Sequence, residues 1–286
     1  MTIAISVKVH EGIVLATDSA ASMIYSLPNG MQVIENVYNN ANKIHNLRKG
    51  LPIGAMVWGA GSIGATSMGT LVRDLRVIFT DGDDTRPEYA GWKIDPKSYT
   101  IQMVAERTRD FLLKSMSDLH AAQPTTAPIS FGMLVAGFSS GAPLAESWLI
   151  DIVQGQVTRF CATLSNEPAG LDAYAQAESV FRLLYGVGTQ LPTVLLQITN
   201  NPQLVDGWMQ LIRQQLVTGV VSPSMPIQDA IDLADWLVHN AIMYSRFLPG
   251  AATVGGPIEI AVVTKHEGFK WIKRKHYYES SLNPQS

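Results

Sequence analysis

Two stretches decide the fold: Met1-Thr2-Ile3-Ala4-Ile5-Ser6-Val7-Lys8-Val9 and, after a His10-Glu11-Gly12 turn, Ile13-Val14-Leu15-Ala16-Thr17-Asp18-Ser19. The first alternates from residue 2 and predicts a strand. The second is a strand of similar length, and the short turn between them predicts a hairpin. Such a hairpin carries Asp18, at the far end of the second strand, back towards Thr2 at the tip of the first. With Met1 removed, Thr2 has a free amine. A hydroxyl nucleophile whose base is its own amine is an established catalytic device.

Outward from this hairpin, Met56–Gly59 predicts a further strand, and the turn Gly59-Ala60-Gly61-Ser62-Ile63-Gly64 opens a helix to about Phe79. Residues 80–96 are polar and read as a loop, and 98–119 has helical spacing. Strands follow at 128–138, 145–153 and 157–163, with a hairpin turn at Ser139-Ser140-Gly141-Ala142-Pro143. Ala173–Tyr185 reads as a helix, Gly186-Val187-Gly188-Thr189 as a second glycine turn, and helical patterns run to about Leu216 and over 227–247. A hairpin at 258–272 closes the chain. Strands and helices come in alternating runs, which predicts an α+β fold with two antiparallel sheets between helix layers. No linker divides the chain, so one domain over 1–286 is expected, with an extra segment at about 165–221.

Composition narrows the function classes. The chain has 286 residues, 47% hydrophobic and 16% charged, which supplies a large core and few surface charges. That balance points to surface buried against partner subunits. A net charge of −3 gives no reason to expect nucleic acid or a membrane surface as partner. Cys161 is the single cysteine, so neither a disulfide framework nor a thiolate metal site is expected, and the six histidines lack ligand spacing. No cofactor is implied. With no signal peptide and no run of membrane-spanning length, a cytoplasmic protein is expected. Gly-x-Gly-x-x-Gly at 59–64 also fits the dinucleotide fingerprint, but no acidic residue follows at the end of a second parallel strand.

The run Gly12-Ile13-Val14-Leu15-Ala16-Thr17-Asp18-Ser19-Ala20-Ala21-Ser22, then Asn42-Lys43-Ile44-His45-Asn46-Leu47, then Trp58-Gly59-Ala60-Gly61-Ser62-Ile63-Gly64, resembles the proteasome β-subunit family of N-terminal nucleophile (Ntn) hydrolases, bacterial relatives included. The match is most specific over 2–79 and looser, though collinear, beyond. The sixteen-residue spacing from Thr2 to Asp18 equals that family's. Longer hairpins at 26–40 and 48–52 absorb the extra length between the later motifs.

The resemblance implies a four-layer αββα sandwich, the Ntn hydrolase fold, and a threonine-type endopeptidase. Thr2 Oγ would attack the scissile carbonyl and the Thr2 amine, with an ordinary pKa near ~8, would take the proton. Lys43 would hold its charge near Thr2, and Asp18 would orient Lys43. The Gly61 N–H would face the developing oxyanion, a donor typically worth ~10²–10³ in rate. Thr189 is the nearest match to the family's supporting serine. Ala21, Ser22, Gly59 and Ile63 would line the substrate cleft, with extended peptide added as a strand. Implied partners are peptide or unfolded protein as substrate and further copies of the chain in a ring or stacked rings; such a ring can take an ATPase regulator.

Three departures stand beside these matches. Ala20 occupies the position of the family's arginine. Ala251-Ala252-Thr253-Val254 stands where an Asp-x-x-Ser is usual, and the spacings from Asp18 to Lys43 and from Lys43 to Gly61 are long. They keep two alternatives open: a non-catalytic structural subunit, and an Ntn amidase for small amides in which the segment around 160–225 closes the pocket.

Overall fold

The computed structural model describes residues 2–26, 32–83, 85–125, 127–164 and 167–275, so the tip of the hairpin expected at 26–40 lies partly outside the described residues. It is a mixed chain of antiparallel sheets with six helices among those residues. Strands β1 (Ile3–Val9) and β2 (Gly12–Thr17) form the expected hairpin, Ala4 opposite Thr17. A small hairpin follows, β3 (Ala21–Ser26) with β4 (Gln32–Tyr38). Then come β5 (Ile44–Asn46), β6 (Ile53–Gly59) and a two-stranded turn, β7 (Ser62–Ile63) with β8 (Thr66–Ser67).

Helix α1 (Met68–Asp81) therefore begins later than the glycine turn suggests. Ser67 caps it, its side chain accepting from the Thr70 N–H at 3.1 Å. Helix α2 (Ile101–Ala122) is capped in the same way by Thr100. Strands β9 (Phe131–Gly137), β10 (Glu146–Val153), β11 (Gln156–Thr163) and β12 (Gly170–Ala175) precede α3 (Glu178–Tyr185), α4 (Leu191–Thr199), α5 (Pro202–Leu216) and α6 (Ile227–Phe247). The hairpin β13 (Glu259–Thr264) and β14 (Gly268–Lys273) is the last described element.

One sheet has the order β12-β1-β2-β13-β14 and the other β11-β10-β9-β6-β5. Strand alternation sorts their side chains into three apolar clusters. Ile3, Ile5, Val7 and Val9 of β1 pack with Ala234, Leu237 and Val238 of α6. Ala4, Ile13 and Leu15 on the other face meet Met56, Leu134 and Leu149 of the second sheet. Ala55, Val57, Met133 and Val135 then pack with Leu71, Leu75 and Phe79 of α1 and with Val104, Phe111 and Leu112 of α2.

Phe79 is fully buried at the centre of that last cluster, so Phe79→Ala should cost about 3–5 kcal/mol. Urea unfolding checks this as a lower midpoint with an unchanged slope.

Residues 173–175 are strand, not the expected start of a helix. Gly170–Ala175 fills the free edge of β1, Ile3 opposite Ala175. Ala175 takes a left-handed φ of 62° as the strand ends, and α3 starts only at Glu178.

Candidate functional site

The hairpin geometry brings Thr2 and Asp18 together through the backbone. The Ile3 N–H donates to Asp18 Oδ1 at 3.1 Å, and the Asp18 N–H donates to the Ile3 carbonyl at 3.4 Å. Asp18 is fully buried, and its carboxylate is held from four directions. Besides Ile3, the Ala20 and Gly255 N–H groups donate to Oδ2 at 3.1 and 3.0 Å, and Lys43 Nζ donates to Oδ1 at 2.7 Å. Such charge-assisted bonds offset the cost of a buried carboxylate.

Lys43 is pinned at the entry to β5. Its carbonyl accepts from the Val57 N–H at 2.9 Å, and its N–H donates to Glu259 Oε2 at 3.3 Å. Burial holds the Lys43 ammonium below its ordinary pKa, and the Asp18 carboxylate opposes that shift. The lysine thus gives up its proton more readily than a surface lysine.

Thr2 is itself buried, its carbonyl accepting from the Gln176 N–H at 2.8 Å. Thr2 and Lys43 line one cavity of about 290 Å³ together with Ala21, Ser22, Gly59 and Gly61. Ser22 Oγ is buried with no hydrogen-bond partner among the described residues. Gly59 has φ +91°, and a Cβ there would lie 2.8 Å from Phe131 Cα, so the glycine lets this end of β6 pass close to β9. A Cβ at Gly61 would meet nothing within 4 Å, which leaves its backbone open to the cavity side.

Two expected residues lie elsewhere. Ile63 does not line the cavity: it is 5% exposed and belongs to the cluster under α1 and α2, because alternation in the β7–β8 turn exposes Ser62 and buries Ile63. Thr189 is not in the cavity either. Its N–H and Oγ1 donate to Glu178 Oε2 at 2.7 and 2.5 Å, closing the turn between α3 and α4. A hydroxyl in a glycine turn matched the motif, but the nearby carboxylate at the start of α3 captures it.

The structure adds groups that sequence reasoning missed. Glu259 and Lys275 form a second buried pair at 3.5 Å directly behind Lys43, and Lys275 also donates to the Ala41 carbonyl. Burial raises the Glu259 carboxyl and lowers the Lys275 ammonium, each opposed by the other. Glu259 sits 216 residues from Lys43 in sequence, and no local spacing signals it. Arg73 of α1 also lines the Thr2 cavity, so its wall is basic as well as apolar. Trp58, another lining residue, stacks on Tyr174 of β12 with ring centroids 4.6 Å apart.

Among the described residues no group of His, Cys, Asp and Glu could hold a metal ion, and no helix is long and apolar enough to cross a membrane.

No protein-family model matches the chain, and no curated protein matches it. Solved structures do. The Anbu complex from Pseudomonas aeruginosa, a helical assembly, is 14% identical with a TM-score of 0.51, over 98% of this chain and 90% of that one. Anbu (ancestral beta-subunit) from Yersinia bercovieri is 12% identical with a TM-score of 0.52, over 96% of this chain and 89% of that one. At such identity the likeness is one of fold alone. It corrects the assignment implied by the motifs. The neighbours that emerge are Anbu proteins, a proteasome-like family, and with no family model matching, the chain is not placed in the proteasome β-subunit family.

Proposed function

We propose that this protein is a threonine peptidase whose nucleophile is Thr2, exposed by removal of Met1. The observation that carries the reading is that Thr2 shares a cavity with Lys43, whose ammonium lies 2.7 Å from the buried Asp18 carboxylate. In this reading Thr2 Oγ attacks the peptide carbonyl and the Thr2 amine accepts its proton. The carbon–oxygen bond to Thr2 forms as the carbonyl π bond opens onto its oxygen, and the Gly61 N–H stabilises that oxyanion. Collapse expels the amine leaving group, which takes the proton back, and water then releases the acyl group by the reverse sequence. Lys43 keeps positive charge beside the nucleophile, and Asp18 positions Lys43. Ala21, Ser22 and Gly59 border extended substrate, the unpartnered Ser22 Oγ being free to bond its backbone.

The helix, sheet, sheet and helix packing supports a four-layer αββα arrangement of the Ntn type, folded as one unit with 165–221 as its enlarged segment. We further propose that the chain works as an oligomer enclosing its active sites. Exposed apolar side chains on α4 and α5, such as Ile198, Trp208 and Leu211, support this. So does the helical assembly formed by the Anbu complex from P. aeruginosa.

Incubation with a threonine-directed β-lactone or epoxyketone, followed by intact mass and peptide mapping, tests the nucleophile. The expected product is a chain lacking Met1 that carries one inhibitor mass on Thr2. A chain that keeps Met1 and gains no mass would favour a non-catalytic subunit, the reading that Ala20, in place of the family's arginine, supports.

A further inference from the structure

Beside the Thr2 cavity, and sharing Asn42 and Arg73 with it, lies a second cavity of about 370 Å³. Its wall carries Arg73 and Arg76 of α1 and Arg274 just beyond β14. Positions 73 and 76 are three apart and share a face of the helix. Arg73 Nε donates to the Gly69 carbonyl at 3.0 Å, and the Arg274 guanidinium lies 4.9 Å from the Trp271 ring centroid. Among the described residues none of the three has a carboxylate at ion-pair distance. The one acid in the wall, Glu259, is already engaged by Lys275 and by the Lys43 N–H. Three guanidiniums around one cavity, in a chain of net charge −3, concentrate positive charge that, among the described residues, only Glu259 offsets at longer range. His45 on the same wall adds a buried Nε2 with no hydrogen-bond partner among the described residues.

We infer that this cavity binds a small oxyanion of the phosphate class, held by Arg73, Arg76 and Arg274 beside His45. The planar guanidinium fork matches phosphate oxygens in pairs, and an anion would relieve the mutual repulsion of the arginines. Because Arg73 also lines the Thr2 cavity, occupancy is coupled to the catalytic site; that coupling rests on the peptidase reading, whereas the binding does not.

Inorganic phosphate titrated into the full chain at constant ionic strength, followed by calorimetry and phosphorus NMR, tests the inference. Saturable binding at one site is expected, weakened about tenfold or more in Arg76→Gln and in Arg274→Gln, neither of which lines the Thr2 cavity. A second readout is His45, whose ring burial and the neighbouring Arg73 and Arg76 hold at a pKa of about 4. Phosphate at a concentration that fills the parent site but leaves Arg76→Gln largely empty should raise it, relative to each chain's own phosphate-free value, in the parent and not in the variant. Absence of saturation, or equal binding by the variants, overturns the site. Acetate competing as well as phosphate would overturn the phosphate class. Phosphate binding in a chain whose Thr2 fails to take inhibitor would uphold the site and remove only the peptidase reading.

Discussion

Thr2→Ala should reduce peptide hydrolysis to the level of a no-enzyme control while leaving the fold intact. The structural contact made by residue 2 is through its carbonyl, which accepts from Gln176, and alanine keeps that bond. The substitution removes one hydroxyl and one methyl from a buried position, a change of about 1 kcal/mol. The substitution removes the proposed attacking oxygen itself and leaves in place an amine that has no hydroxyl on its own residue. Hydrolysis of a fluorogenic peptide, set beside the thermal unfolding midpoint, reads both effects. Turnover that survives in a Thr2→Ala chain with an unshifted midpoint would sink the assignment of Thr2.

Lys43→Ala should lower the rate by about 10²–10⁴-fold, the range in which positioned proton-transfer and charge-holding groups act. It should also destabilise the protein. Lys43 and Asp18 are a buried pair, and removing one partner of such a pair costs about 3–5 kcal/mol. The three N–H groups that remain on Asp18 place the loss towards the low end of that range. The double variant Lys43→Met with Asp18→Asn separates the two effects. It leaves no uncompensated charge, so stability should largely return while activity does not. Recovery of the rate along with stability would make the pair structural.

Asp18→Asn alone gives a pH signature. The Asp18 carboxylate raises the Lys43 pKa against the lowering effect of burial. Without it Lys43 loses its proton at lower pH. If the charged lysine is the active form, the alkaline limb of the rate profile moves to more acidic pH.

Much of this architecture was legible in the sequence, where the signal was local. The alternation over 2–9 and the short turn before 13 gave β1 and β2, and the periodicity over 227–247 gave α6. Asp18 and Lys43 were legible by motif, and the structure sets them 2.7 Å apart. What stayed hidden depends on contacts distant in sequence. Asp172-Ala173-Tyr174-Ala175 has no strong strand preference of its own and is recruited by the unfilled edge of β1. Ile63 belongs to a glycine-rich turn by its sequence neighbours, yet the β7–β8 pairing turns it into the core. Thr189 matched a hydroxyl position by composition, and only the fold reveals Glu178 as its partner. Glu259 and Lys275 lie so far from Lys43 along the chain that no window of sequence joins them.

The strand order β12-β1-β2-β13-β14 also has a bearing on synthesis. β2 is made among the first twenty residues, but its neighbour β13 spans Glu259–Thr264, near the end of the chain. Gly255, one of the donors to Asp18, immediately precedes that strand. A nascent chain therefore carries Thr2, Asp18 and Lys43 from the start, yet cannot close the shell around Asp18 until translation has passed residue 264. Pairings of such sequence separation form slowly. The order of synthesis thus acts as a timer: a chain truncated before Gly255 would hold every proposed reactive group but lack one of the four bonds to Asp18 and the strand that flanks β2.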